Sequence, residues 1–144
     1  MKTVLSLFVA LFAFVGVSLA QSGAITFSKE AHDFGKIEHL KPVTHVFTFK
    51  NTGTEPIVIT DAAASCGCTK PSWSKDPIAP GQSGQISATF TAPGMGPFNK
   101  TVTVTSNAKT STVYLTLKGE VVSKEAAEAA AQTGSANGKK KGTK

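Results

Sequence analysis

Cys66 and Cys68, the chain's only cysteines, are separated by Gly67 within the stretch Ala-Ser-Cys-Gly-Cys-Thr-Lys-Pro-Ser-Trp that runs from Ala64 to Trp73. A pair so close in sequence can form a local disulfide, act as a two-sulfur metal clip, or stay as two separate thiols. In an extended strand the two side chains share a face, with Cα atoms roughly 6.6 Å apart, near the upper limit of disulfide geometry. Closing the bond therefore needs a bend, which Gly67 can supply. A ring this small is expected to be readily reduced, and labile disulfides are the ones put to catalytic or regulatory use. Against a redox role, the usual spacing of two residues between redox cysteines is absent. A metal clip of two soft sulfurs suits copper(I), or zinc if two histidines join it. These alternatives stay open at the level of sequence. Thr69, Lys70 and Trp73, just beyond the pair, are candidates for a binding loop.

The other reactive residue types form weaker patterns. His32, His39 and His45 could supply nitrogen ligands, but none stands at a recognised ligand spacing from the cysteines. Asp33-Phe34-Gly35 imitates the magnesium-binding triplet of protein kinases without the Gly-rich loop or catalytic loop that would give it meaning, so Phe34 reads as core and Gly35 as a turn. Asn99-Lys100-Thr101 fits a glycosylation acceptor but opens a strand. No pair of carboxylates and no nucleophile with a matching base occurs in a context that suggests catalysis, so no catalytic residue is expected.

The setting of these residues follows from composition. Lys2 precedes an uncharged apolar run from Val4 to Val17, then Ser18-Leu19-Ala20, which is the pattern of a secretory signal peptide over residues 1–20 with a mature start at Gln21. The run is shorter than the roughly 20 apolar residues a spanning helix needs, so no transmembrane segment is expected once it is removed. A periplasmic or secreted location follows, and an oxidising one. Residues 21–122 form one domain of ordinary size, about 100 residues, followed by an Ala/Lys-rich tail at 123–144 that reads as disordered. Of the net charge of +6 the domain carries only +2, from nine lysines against seven acidic residues, and the chain contains no arginine. Lacking the residue best suited to bidentate phosphate and base contacts, it is not expected to bind nucleic acid.

The domain must position the cysteines with strands. Short alternating runs rich in Val, Ile, Thr and Phe, punctuated by Gly, Pro, Asn and Asp, predict an all-β sandwich or barrel. Seven strands are expected, near 24–28, 32–37, 43–50, 56–63, 85–92, 99–106 and 111–121. Alternation puts Ile86, Ala88 and Phe90 on one face of their strand, and likewise Val102 with Val104, Val113 with Leu115 and Leu117, and His45 with Phe47 and Phe49. Two facing sheets would bury this set. Asn51-Thr52-Gly53 signals a chain reversal, and Pro77, Pro80 and Gly81 lead us to expect a long loop from Lys70 to Gln85.

Taken in order, His32-Asp33-Phe34-Gly35-Lys36-Ile37, Phe47-Thr48-Phe49-Lys50-Asn51-Thr52-Gly53, Ile57-Val58-Ile59-Thr60, Ser65-Cys66-Gly67-Cys68-Thr69, Pro77-Ile78-Ala79-Pro80-Gly81 and Thr105-Ser106-Asn107 closely resemble the bacterial domain-of-unknown-function family numbered 1573. The resemblance covers nearly all of residues 25–121, and the strand-turn-strand part around Asn51 also looks like the wider group of immunoglobulin-like domains related to major sperm protein. It implies a seven-stranded immunoglobulin-like β-sandwich in an exported protein and brings no established activity. An antibody-type domain bridges its sheets with cysteines far apart in sequence, which Cys66 and Cys68 cannot do.

These readings together lead us to expect an exported, non-catalytic binding or structural module of the bacterial cell envelope, without a cofactor, whose partner is an envelope protein or glycan. The alternative is a redox-active or copper-handling protein working through Cys66 and Cys68.

Overall fold

The computed structural model describes residues Gly23 to Ser135. The expected signal peptide over 1–20 lies outside the described residues, as does the end of the tail after 135. Eight strands follow one another: β1 (Ile25–Phe27), β2 (Ala31–Glu38), β3 (Val43–Asn51), β4 (Ile59–Ala64), β5 (Thr69–Trp73), β6 (Ser83–Phe90), β7 (Gly96–Ser106) and β8 (Thr112–Val122), then helix α1 (Lys124–Ser135). They form two four-stranded sheets, ordered β1-β3-β6-β5 and β2-β8-β7-β4. All pairings are antiparallel except that of β2 with β8, which is parallel.

The sandwich is built as alternation dictates. Phe47, Phe49, Ile86, Ala88, Phe90, Val102, Val104, Leu115 and Leu117 are buried between the sheets, joined by Phe27, Ile57, Ile59, Phe98 and Val121. Threonines at 101, 103, 105 and 116 point to the other side of their strands and stay partly exposed. Burial of the inner faces is what the hydrophobic effect rewards, at roughly 1.5–3 kcal/mol for each large side chain.

The eighth strand corrects the expected count. The long loop expected from Lys70 to Gln85 is strand at its start: Thr69–Trp73 pairs in register with β6, with Pro71 opposite Ala88. Proline lacks the N–H a central strand requires, but β5 is an edge strand, bonded to β6 alone, and an edge tolerates it. The tail is the second correction. Instead of disorder throughout 123–144, Lys124–Ser135 is helical and lies against β2. Ser123 caps it, its hydroxyl accepting from the Ala126 N–H at 3.4 Å and its carbonyl from the Ala127 N–H at 3.0 Å. A short alanine-rich helix, marginal alone, gains from this cap and from packing its half-buried Ala126, Ala127 and Ala130.

The Asp33-Phe34-Gly35 triplet forms a bulge. The register between β2 and β8 shifts between Asp33 and Lys36, Gly35 has a φ of 64°, and its N–H donates to Asp33 Oδ1 at 2.8 Å. That hydrogen bond holds the Asp33 carboxyl below its ordinary pKa, helped by Lys118 at 3.5 Å. Phe34 packs against the core, as expected, while Gly35 turns a strand rather than the chain.

Candidate functional site

The cysteine pair sits where the chain changes sheets. β4 and β5 are edge strands of opposite sheets, and the four residues 65–68 carry the chain from one to the other. Cys66 and Cys68 are joined by a disulfide with their Cα atoms 5.3 Å apart, closer than an extended strand would hold them. Gly67 supplies the bend and stands exposed, with open space around it. Of the three chemistries open at the level of sequence, the structure thus holds the local bond.

Hydrogen bonds fix this corner on both sides. The Thr69 N–H donates to the Cys66 carbonyl at 3.2 Å, and the Ser65 N–H donates to the Thr101 carbonyl at 2.9 Å. The Cys68 carbonyl accepts from both the N–H and the hydroxyl of Thr91, at 3.0 and 3.2 Å. Since Thr91 follows β6, the disulfide loop is bonded to the 91–95 connection.

A third connection joins them. The Leu40 N–H, between β2 and β3, donates to the Ala92 carbonyl at 3.0 Å, and the His39 ring nitrogen Nε2 lies 3.4 Å from the Pro93 carbonyl. Both Leu40 (φ 60°) and Ala92 (φ 49°) adopt the left-handed conformation, and they are the non-glycine residues that do so among the described residues. The conformation costs about 1–2 kcal/mol for an L-residue with a Cβ. Such strain gathers at functional sites. Leu40 is 67% exposed, and Met95, in the neighbouring connection, 62%. The residues 39–42, 65–68 and 91–95 therefore form one end of the sandwich, which carries two protruding apolar side chains beside a disulfide.

The opposite end is stitched shut. Asn51 is fully buried, its side-chain N–H groups donating to the Glu55 and Ile78 carbonyls at 2.8 and 2.9 Å and its oxygen accepting from the Gly53 N–H at 3.0 Å. Asn107 exchanges similar bonds with Val58 and Pro56. The expected reversal at Asn51-Thr52-Gly53 is there, and its polar groups are spent on the fold.

The remaining sequence candidates separate. Thr69, Lys70 and Trp73 lie in strand β5 rather than in a loop; Thr69 is buried, Lys70 exposed, and Trp73 packs against the core with its indole N–H donating to the Ile59 carbonyl at 3.2 Å. His32 and His45 stack ring on ring between the two sheets, 3.7 Å apart and 7° from parallel, with Phe34 and Phe47 edge-on to them. Stacked parallel rings do not converge their lone pairs on one ion. Burial and the neighbouring His32 and Lys29 push the His45 pKa down. Among the described residues no three His, Cys, Asp or Glu side chains gather as a metal site would require, and the two sulfurs are bonded to each other. Asn99 is exposed but lies within β7, opposite Lys118. Among the described residues no helix is long and apolar enough to cross a membrane. Sequence reasoning missed Leu40, Ala92 and Met95, for nothing in their types announces a left-handed backbone or a shared end.

Two four-stranded sheets packed face to face with this strand order form an immunoglobulin-like β-sandwich, and solved structures are similar to it. They include a protein of unknown function from Porphyromonas gingivalis (TM-score 0.63, 16% identity, covering 76% of this chain and 51% of that one). The PapD-like domain 7 of human CEP192 matches with TM-score 0.60 and 13% identity over 71% of this chain and 87% of that one. The secreted serine protease VesC from Vibrio cholerae contains a similar region (TM-score 0.53, 17% identity, 68% of this chain and 23% of that one). The chain thus spans about half the length of the Porphyromonas protein. At these identities the likeness concerns the fold. The family model described as protein of unknown function (DUF1573) matches residues 25–121, and the chain belongs to that family. No curated protein matched.

Proposed function

We propose that this chain is an exported, non-catalytic immunoglobulin-like module of the bacterial cell envelope that binds another envelope protein through the end formed by residues 39–42, 65–68 and 91–95. The observation that carries the reading is the pair Leu40 and Met95, both exposed in connections at one end of the sandwich, where Leu40 and Ala92 hold a left-handed backbone. Exposed apolar side chains grouped on a folded surface mark interaction sites, and methionine is favoured where a surface must adapt to its partner. A protein partner fits better than a glycan, because the exposed aromatic among the described residues, Tyr114, stands in β8 opposite Thr103, away from this end. Export rests on the leading apolar segment of the sequence, and the disulfide is in keeping with it.

The test is capture from a solubilised envelope extract by the immobilised mature chain and by a Leu40→Ser, Met95→Ser double variant. Both positions are exposed, so the variant should keep the wild-type melting temperature within a few degrees. The reading expects specific proteins retained by the wild type and lost with the variant. Identical retention by both would contradict it.

A further inference from the structure

We propose that Cys66 and Cys68 form a thiol–disulfide exchange site for a disulfide-bearing protein, with Cys66 as the attacking sulfur and Cys68 as the resolving one. This goes beyond the binding reading and does not depend on it; the exchange is stoichiometric, one partner disulfide for each reduced chain, and is not a turnover.

The asymmetry between the two sulfurs carries the assignment. Thr69 is 3% exposed, and its hydroxyl has one hydrogen-bond partner among the described residues, Cys66 Sγ at 3.9 Å. A disulfide sulfur has no hydrogen to give, so the hydroxyl is the donor. Reduction turns that weak acceptor into a thiolate, which accepts a much stronger, charge-assisted bond from the same hydroxyl. Thr69 is fixed for this task by its own N–H, which donates to the Cys66 carbonyl at 3.2 Å, and by its pairing with Phe90. Cys68 differs. Its side chain packs against the apolar core, where a thiolate is disfavoured. Its carbonyl is held twice by Thr91, so its sulfur stays within reach of Cys66 whether or not the bond is made. The crest between them, Gly67, is open on its outer side, leaving room for an approaching chain.

The chemistry balances without a further reagent. In the reduced chain the Cys66 thiolate attacks one sulfur of the partner's disulfide, whose S–S bond breaks, and the departing sulfur leaves with the electron pair and takes up a proton. Cys68 then gives up its proton and attacks Cys66 Sγ. The bond between Cys66 and the partner breaks, and the partner's second sulfur leaves as a thiolate that is protonated in turn. The partner gains two electrons and two protons as a dithiol; Cys66–Cys68 loses two electrons and, counting the proton released when the Cys66 thiol ionised, two protons. The structure holds the oxidised end of this exchange, and a dithiol drives it backwards by the same steps.

Reactivity can be read with small probes and no partner. The full chain is reduced, freed of reductant and pulsed with iodoacetamide, and peptide masses give the alkylation rate at each cysteine. Cys66 should react about ten-fold faster than Cys68 at pH 7. With glutathione disulfide as the probe, Cys68→Ser should form a mixed disulfide about ten-fold faster than Cys66→Ser. Thr69→Val should slow Cys66 by about three-fold or more and move the midpoint of its pH–rate profile upward, while Thr69→Ser, which keeps the hydroxyl, restores the wild-type profile. Equal rates at the two cysteines, a faster Cys68, or a Thr69→Val profile like the wild type would overturn the proposal. Should a variant fail to fold, the alkylation pattern of the reduced wild type decides alone.

Discussion

The indole N–H of Trp73 reaches across the sandwich to donate a 3.2 Å hydrogen bond to the carbonyl of Ile59. Trp73 closes β5 and Ile59 opens β4, so this bond ties the edge of one sheet to the edge of the other, and the Cys66–Cys68 corner is the covalent link between the same two strands. The tryptophan that stands so near the cysteines in sequence is thus a strut of the fold. Trp73→Phe keeps an aromatic body but leaves the Ile59 carbonyl without its donor, and Ile59 is buried. A loss of about 1–3 kcal/mol in urea unfolding is expected. No measurable loss would mean the bond is not maintained in solution.

A pH dependence follows from the stacked imidazoles. His45 is held below the ordinary histidine range by burial first, then by His32 and Lys29. The unfolded chain therefore takes up a proton at this position at a higher pH than the folded chain does. Stability from this source is complete above the ordinary histidine value, near pH 6.5, and falls as pH drops through it toward the depressed value. Melting temperatures measured from pH 7.5 to 5 should decline, and His45→Phe, which keeps a ring in the stack, should flatten the decline. A slope unchanged by the substitution would place its source in other groups.

Replacing both cysteines by serine tests how much the corner depends on its bond. The loop between them is so short that the model entropy gain of the cross-link is at most about 2 kcal/mol. A serine at 66 also offers the buried Thr69 hydroxyl an oxygen partner in place of the sulfur. The double variant should fold with the same β-rich circular dichroism and lose about 2 kcal/mol or less. A chain that fails to fold would make the disulfide a requirement of the sandwich.

The sandwich was legible in the sequence because its core obeys strict alternation: Ile86-Ala88-Phe90 and Val102-Val104 point inward as a period of two demands. What escaped has physical causes. Pro71 argues against a strand unless one knows that the strand is an edge, which is a property of the whole sheet. The parallel pairing of β2 with β8 joins segments some eighty positions apart, with no local signal. The alanine-rich tail is helical over Lys124–Ser135 and lies against β2, a contact that propensity alone does not reveal. At the candidate site the cysteine pair announced itself, whereas Leu40 and Ala92 hold a backbone conformation that their side chains disfavour, and tertiary hydrogen bonding imposed it against local preference.

The proposed working surface is the end built from residues 39–42, 65–68 and 91–95. Hydrogen exchange followed by mass spectrometry, on the mature chain alone and mixed with the solubilised envelope extract, reads that surface directly. The claim predicts slowed exchange in peptides covering those three connections, with the outer faces of β7 and β8 around Thr103 and Tyr114 unchanged. Protection confined to those sheet faces, with the three connections exchanging as before, would contradict it.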